Sequence, residues 1–237
     1  AKQALDSFAL AYNDFIQNKT VSNLVVARQK FNRAYHQYQL ISIFEFGPSE
    51  NEIIRASFDT HPTDTVQILS NINTGSYNLA LASNIDAKGL PALDYLLYGK
   101  NISDASVVTL FDTDVNAANR IAYFNACLSE MQTKLNTVIN AWNSGYKNSF
   151  NSNTGSEIGS SLGLLVNQLN YEVDLMKNAK IGMKKKKKSL GVQLPEKCEA
   201  YYANTISVSL TKTCLATIEN VYLGRSINGA DGLGLDD

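Results

Sequence analysis

Apolar residues recur along the chain at steps of three and four. Leu5, Phe8, Ala9, Tyr12, Phe15 and Ile16 form the first such stripe, which predicts an amphipathic helix. Thr20 reads as the N-cap of a second helix carrying Leu24, Phe31, Tyr35 and Tyr38, which Gly47-Pro48 stops; its apolar tail, residues 41–46, is expected to be mostly buried. A short helix is predicted over 63–72, begun by Pro62 and broken by Asn73-Thr74-Gly75. Residues 76–97 read as two helical pieces parted near 86–89, with Pro91 in the first turn of the second. The strongest periodicity joins Ile121, Phe124, Leu128, Met131, Leu135, Val138 and Trp142 into one long helix, with Asp112 or Asp114 as its cap. A coiled coil would use the same stripe, but packing within one bundle is the reading adopted. Residues 143–156, rich in Ser, Asn and Gly, have the composition of a connection. Leu162, Leu165, Val166, Leu169, Val173 and Met176 make a further helix ending before Gly182. Pro195 opens another helical piece, and Leu210, Cys214, Ile218 and Val221 line the last helix. No segment alternates convincingly with period two, so the fold class expected is all-α.

The connection at 143–156 divides the chain into an N-terminal helical bundle over 1–145 and the start of a second over 146–237. The full 237 residues suffice to bury a core. With 21 basic against 22 acidic side chains, no global field draws in nucleic acid or an anionic membrane, and no nucleic-acid partner is expected. The run Lys184 to Lys188 reads as a solvated loop. No stretch of about 20 apolar residues exists, so no transmembrane segment is predicted. The first six residues lack a signal-peptide profile, which fits a cytosolic protein or a mature exported one. The Gly-rich close, residues 228–237, leads into no further helix, as if the architecture were cut short.

Well-marked catalytic motifs are missing: there is no H-E-x-x-H, no G-x-S-x-G and no phosphate-binding or dinucleotide glycine loop. His36 and His61 are the only imidazoles, too few for a histidine-rich zinc or iron site, and each reads as an ordinary surface or cap residue. Cys127, Cys198 and Cys214 form neither a metal cluster nor an even disulfide framework, and Cys127 and Cys214 read as core thiols. The most distinctive segment is residues 89–99. Gly89 there suits a free backbone turn, Pro91 a first helical turn and Asp94 the neighbourhood of a helix N-terminus. Pro91 and Asp94 also lie three apart on one face, where side chains can converge on a ligand.

Gly89-Leu90-Pro91-Ala92-Leu93-Asp94, followed by Tyr95 and Leu96-Leu97, resembles the G-x-H-x-x-E signature of the imelysin-like proteins. Ala27-Arg28 and Phe44-Glu45-Phe46-Gly47-Pro48 upstream are similar to that family's A-R and acidic-aromatic G-P segments. Trp142 with Tyr146, Ser161-Leu162 through Asn167, Lys180-Ile181-Gly182 and the stretch from Leu194-Pro195-Glu196 to Tyr201-Tyr202 continue the resemblance in order. The resemblance implies two helical bundles related by internal duplication. The second is expected to be incomplete, because the family's chains continue past residues 229–237. It also implies export to the periplasm or cell surface, a lipid anchor on a removed N-terminus, and a role in iron or haem uptake beside outer-membrane partners. A ligand would sit in a cleft between the bundles, contacted by Gly89, Pro91, Asp94, Arg28 and Glu45, with iron or haem as the implied cofactor and Asp94 as the only metal-ligand candidate of the motif. Pro91 stands where the signature has His, and proline offers a metal no lone pair. That substitution weighs against the alternative of a metallopeptidase-like hydrolase. A helical interaction module without a small-molecule site is the third reading. On the motif reading, Asp94→Ala lowers ligand affinity with little change in melting temperature.

Overall fold

The structure, a computed structural model, describes residues 1–180 and 194–237; every regular element among them is helical. The run Lys184 to Lys188 lies outside the described residues. Helix α1 (Lys2–Gln17) buries Leu5, Phe8, Tyr12 and Phe15, the residues of the first stripe. It packs along α2 (Val21–Gln39), whose N-cap Thr20 accepts a hydrogen bond on Oγ1 from the Asn23 backbone N–H at 3.2 Å.

Helix α2 stops at Gln39, well short of Gly47-Pro48. The apolar tail turns away and buries Ile43 and Phe46, with the Phe46 ring stacked on Phe150 at 5.3 Å. Apolar content there served a folded turn, which periodicity does not distinguish from helix. Two short helices follow, α3 (Pro48–Asn51) and α4 (Ile54–Phe58).

Helix α5 (Thr65–Thr74) begins at Asp64, not Pro62, because Asp64 Oδ1 accepts from the backbone N–H groups of Val66 and Gln67 at 2.9 and 3.0 Å. Only a 3-10 turn (Ala82–Asn84) stands where the first of two helical pieces was expected. Asn84 there donates to the Asn78 carbonyl and accepts from Asn71, local bonds that compete with helix formation. Helix α6 (Gly89–Tyr98) carries the motif, and α7 (Asp104–Asp112), capped by Ser103, was not anticipated.

The long helix α8 (Ala117–Ala141) buries Phe124, Leu128, Met131, Leu135 and Val138 as the stripe predicted. Neither expected aspartate caps it: Asp112 closes α7, and Asp114 accepts from Asn116 N–H just upstream. Helical structure then continues through a π-type turn (Trp142–Tyr146), bent at Gly145, into α9 (Lys147–Ser152). The expected connection is therefore shorter than its composition suggested. Helix α10 (Ser161–Leu175) runs into a second π-type turn (Met176–Lys180). Pro195–Lys197 is a single 3-10 turn, and α11 (Ser207–Tyr222) closes the helical order.

The core is aromatic at its centre. Tyr12 stacks on Phe124 at 3.8 Å between ring centroids, with Phe8 and Phe111 edge-on to the pair, Phe31 edge-on to Phe8 and Phe15 edge-on to Phe111. Ala200, Ala203, Ile206 and Leu210 join this same core, with α11 packed on α2 and the turn before it on α6. Among the described residues no helix is long and apolar enough to cross a membrane. One buried residue on α10 does not belong to an apolar face: Glu172 is 1% exposed.

Candidate functional site

Glu172 sits beside a pocket of about 400 Å³ between the 38–45 turn, α4 and α10. Arg55 on α4 crosses its wall. The Arg55 guanidinium donates through one Nη to the Ser42 carbonyl at 2.9 Å and to Gln168 Oε1 at 3.1 Å, and it lies 3.3 Å from Glu172 Oε2. Its face rests on the Tyr171 ring at 4.5 Å. Ser42 Oγ donates to Glu172 Oε1 at 2.9 Å, so that buried carboxylate has a partner on each oxygen. Arg55 Nε, also buried, has none.

The pocket also reaches a cluster of ionisable groups at Asp59, His61 and Lys180. Asp59 follows α4 and accepts from the Tyr35 hydroxyl at 2.6 Å. His61 Nδ1 is 3.7 Å from Asp59 Oδ1, and the imidazole is only 7% exposed, not at the surface as its loop position suggested. Glu199 faces the same carboxyl from the other side. Its Oε1 lies 3.5 Å from Lys180 Nζ and accepts from Gln39 Nε2, while Gln39 Oε1 accepts from Lys180 Nζ at 2.6 Å.

Burial and charge push these groups apart. Dehydration and the adjoining Asp59 charge raise the Glu199 carboxyl well above its ordinary range, which favours its protonated form beside Asp59. Burial alone would raise Asp59 too, but His61, Lys180 and the Glu199 proton outweigh it and hold the Asp59 carboxyl at about 2. His61 loses by dehydration yet is raised on balance by Asp59 and Glu199. Lys180 is raised by the charges of Glu199 and Asp59, which outweigh its dehydration. A neutral acid beside an ionised one, with an imidazole at hand, can hold and move a proton. Among the described residues, no group of three or more His, Cys, Asp and Glu side chains is arranged to hold a metal ion.

The motif residues stand behind this cluster. Gly89 has φ +74°, and a Cβ there would come within 2.6 Å of the Ser57 and Phe58 carbonyl oxygens, immediately before Asp59. Gly89→Ala is therefore expected to lower stability by about 3 kcal/mol, read as a shift of the urea midpoint, because both the dihedral and the backbone contact oppose a side chain. Asp94 is 1% exposed, and its two oxygens accept from the Tyr202 and Ala203 backbone N–H groups at 2.8 and 2.9 Å, anchoring the turn that carries Glu199. Pro91 is buried in α6.

Of the five residues expected at a ligand, Glu45 lines the pocket, accepting from the Arg55 backbone N–H at 3.0 Å. Arg28 is elsewhere, donating to the Leu97 carbonyl and lying 2.7 Å from Asp104. His36 joins α2 to α11, with its ring nitrogens 2.9 Å from Thr213 Oγ1 and 3.2 Å from Ser209 Oγ. Sequence reasoning missed Arg55, Asp59, Glu172, Lys180 and Glu199. One signal was available: Glu172 falls three residues after Leu169 and four before Met176, a charge set into an apolar stripe.

A crystal structure from Parabacteroides distasonis, described as an iron-regulated protein A precursor, is similar to this chain with a TM-score of 0.73. The two share 15% identity over 97% of this chain and 71% of that one, a likeness that concerns the fold alone. No curated protein matches the chain. The profile of the imelysin family matches residues 1–237, its whole length, and the chain therefore belongs to the imelysin family.

Proposed function

We propose that the chain binds an iron-carrying ligand in the pocket bounded by Arg55, Asp59, His61, Glu172 and Lys180, and that it does so outside the cytoplasm in iron or haem uptake. The observation that carries this reading is the convergence of those five side chains on one pocket of about 400 Å³, a volume in the range of small-molecule sites. Family membership and the name of the P. distasonis protein point the ligand toward iron. The described donors do not make a three-ligand set, so the iron would arrive as a chelate or as haem and not as a bare ion. Glu45 belongs to the contact surface, whereas Gly89 and Asp94 bear on it from beneath, through the turns before Asp59 and after Glu199, and Pro91 is buried in α6.

Titration with ferric citrate and, separately, hemin tests this. One-to-one saturation by either, weakened about tenfold in His61→Gln, is expected from loss of one polar contact. Saturation by neither probe in the wild-type chain would sink the reading.

Hydrolysis is the second reading, and one observation favours it: two buried carboxyls, Asp59 and Glu199, stand beside the His61 imidazole and Lys180. Peptide cleavage abolished by Glu199→Gln would move the proposal to that class.

A further inference from the structure

Away from that pocket, α8 buries a cation without an acid. Arg120 is 6% exposed and its Nε has no hydrogen-bond partner. The contrast with the other enclosed arginines is direct: Arg28 holds Asp104 at 2.7 Å and Arg55 holds Glu172 at 3.3 Å. Among the described residues no carboxylate reaches Arg120 at ion-pair distance; Asp114 acts on it only through space, and the guanidinium lies 6.0 Å from the centre of the Phe111 ring. A guanidinium stays charged when buried, so dehydration without a counter-ion is a standing penalty.

Arg120 lines a pocket of about 460 Å³ between the end of α6, α7 and the start of α8. Lys100, Tyr95, Ser106 and Thr109 line it as well, and no Asp or Glu does. The walls thus offer two cations and the Tyr95 hydroxyl, while Thr109 Oγ1 already donates to the Ala105 carbonyl at 3.0 Å and Ser106 Oγ is paired with Ser103 Oγ at 2.8 Å. A guanidinium presents paired N–H donors at the spacing of two oxygens on one phosphorus or carbon.

We propose that this pocket is a binding site for a small oxyanion, phosphate or carboxylate, with Arg120 as its counter-charge and Lys100 and Tyr95 completing it. The anion would supply the partner that the fold leaves out.

The test compares sodium phosphate, sodium acetate and sodium chloride at equal ionic strength. Phosphate or acetate is expected to raise the melting temperature of the wild-type chain above its value in chloride. Arg120→Met should lose that response while melting in chloride no lower than wild type, since an uncompensated charge is replaced by an apolar chain. Lys100→Gln should weaken affinity about threefold to tenfold. A response to acetate alone assigns the carboxylate source, a response to phosphate alone assigns phosphate, and a response to both supports a site that takes either oxyanion. An anion response retained in Arg120→Met, or no wild-type response to either anion, overturns the proposal. Should Arg120→Met fail to fold, phosphate and acetate titrations of the wild-type chain followed by NMR decide it: shifts confined to the amides of Tyr95, Gly99, Thr109 and Arg120 support the site, and unmoved amides there refute it.

Discussion

Asp94→Ala should lower stability by about 3 kcal/mol and displace Glu199. Both carboxyl oxygens of Asp94 are engaged, one with the Tyr202 N–H and the other with the Ala203 N–H, and the residue is almost fully enclosed. Alanine leaves two buried donors without partners, each worth about 1–3 kcal/mol in lost hydrogen bonding and dehydration. For a chain of this length, the melting temperature should fall by roughly 6–12 °C. The motif alone predicted little change in melting temperature. The geometry leads to a larger loss, because both carboxylate oxygens hold backbone N–H groups. An Asp94→Ala melting temperature within a degree of wild type would show that the turn at Tyr202 and Ala203 needs no anchor.

The second large effect is on pH dependence. Glu199 titrates near 4.5 when unfolded and is raised to about 8 in the fold, so its contribution is complete below about 4.5 and is lost as pH rises through about 8. His61, also raised, loses its contribution in the same direction above its ordinary value of 6.5. Asp59 runs oppositely: it is depressed from 3.8 to about 2, so its contribution is present above 3.8 and is lost as pH falls through about 2. Together these place the stability maximum of the cluster at mildly acid pH. Glu199→Gln keeps the shape, accepts from Gln39 and Lys180, and donates to Asp59 without a titrating proton. Urea unfolding between pH 5 and 8 should show a falling wild-type stability and a much flatter variant, a difference on the order of a few kcal/mol at the alkaline end. Equal slopes would mean that Glu199 does not carry the proton. Asp94, raised to about 7 chiefly by burial, keeps some slope in both proteins.

The candidate site was less legible than the fold. Asp59 and His61 looked like loop residues because the chain around them has no period; they are enclosed only because α10 and the Lys180 turn close over them. Glu199 lay inside a recognisable stretch, yet nothing local tells that its carboxyl meets one at Asp59, 140 positions earlier. The motif residues lie beneath the candidate pocket, a placement that no local pattern encodes. Gly89 and Asp94 shape the two turns that carry Asp59 and Glu199, and so act one layer behind the pocket.

What the sequence by itself determined is local. The three-and-four spacing of Leu5 to Phe15 and of Phe124 to Val138 specifies which helix faces are buried, since helix geometry converts spacing directly into a face. Thr20 likewise specifies the start of its helix, because a cap acts within one turn. Tertiary structure decided the rest. The apolar tail after Gln39 became a turn because Phe46 had Phe150 to stack on. The charges of Arg55, Asp59, Glu172, Lys180 and Glu199 came together only when three distant segments brought them into one poorly hydrated space, where Coulomb energies are large and depend on distances that no one-dimensional pattern encodes.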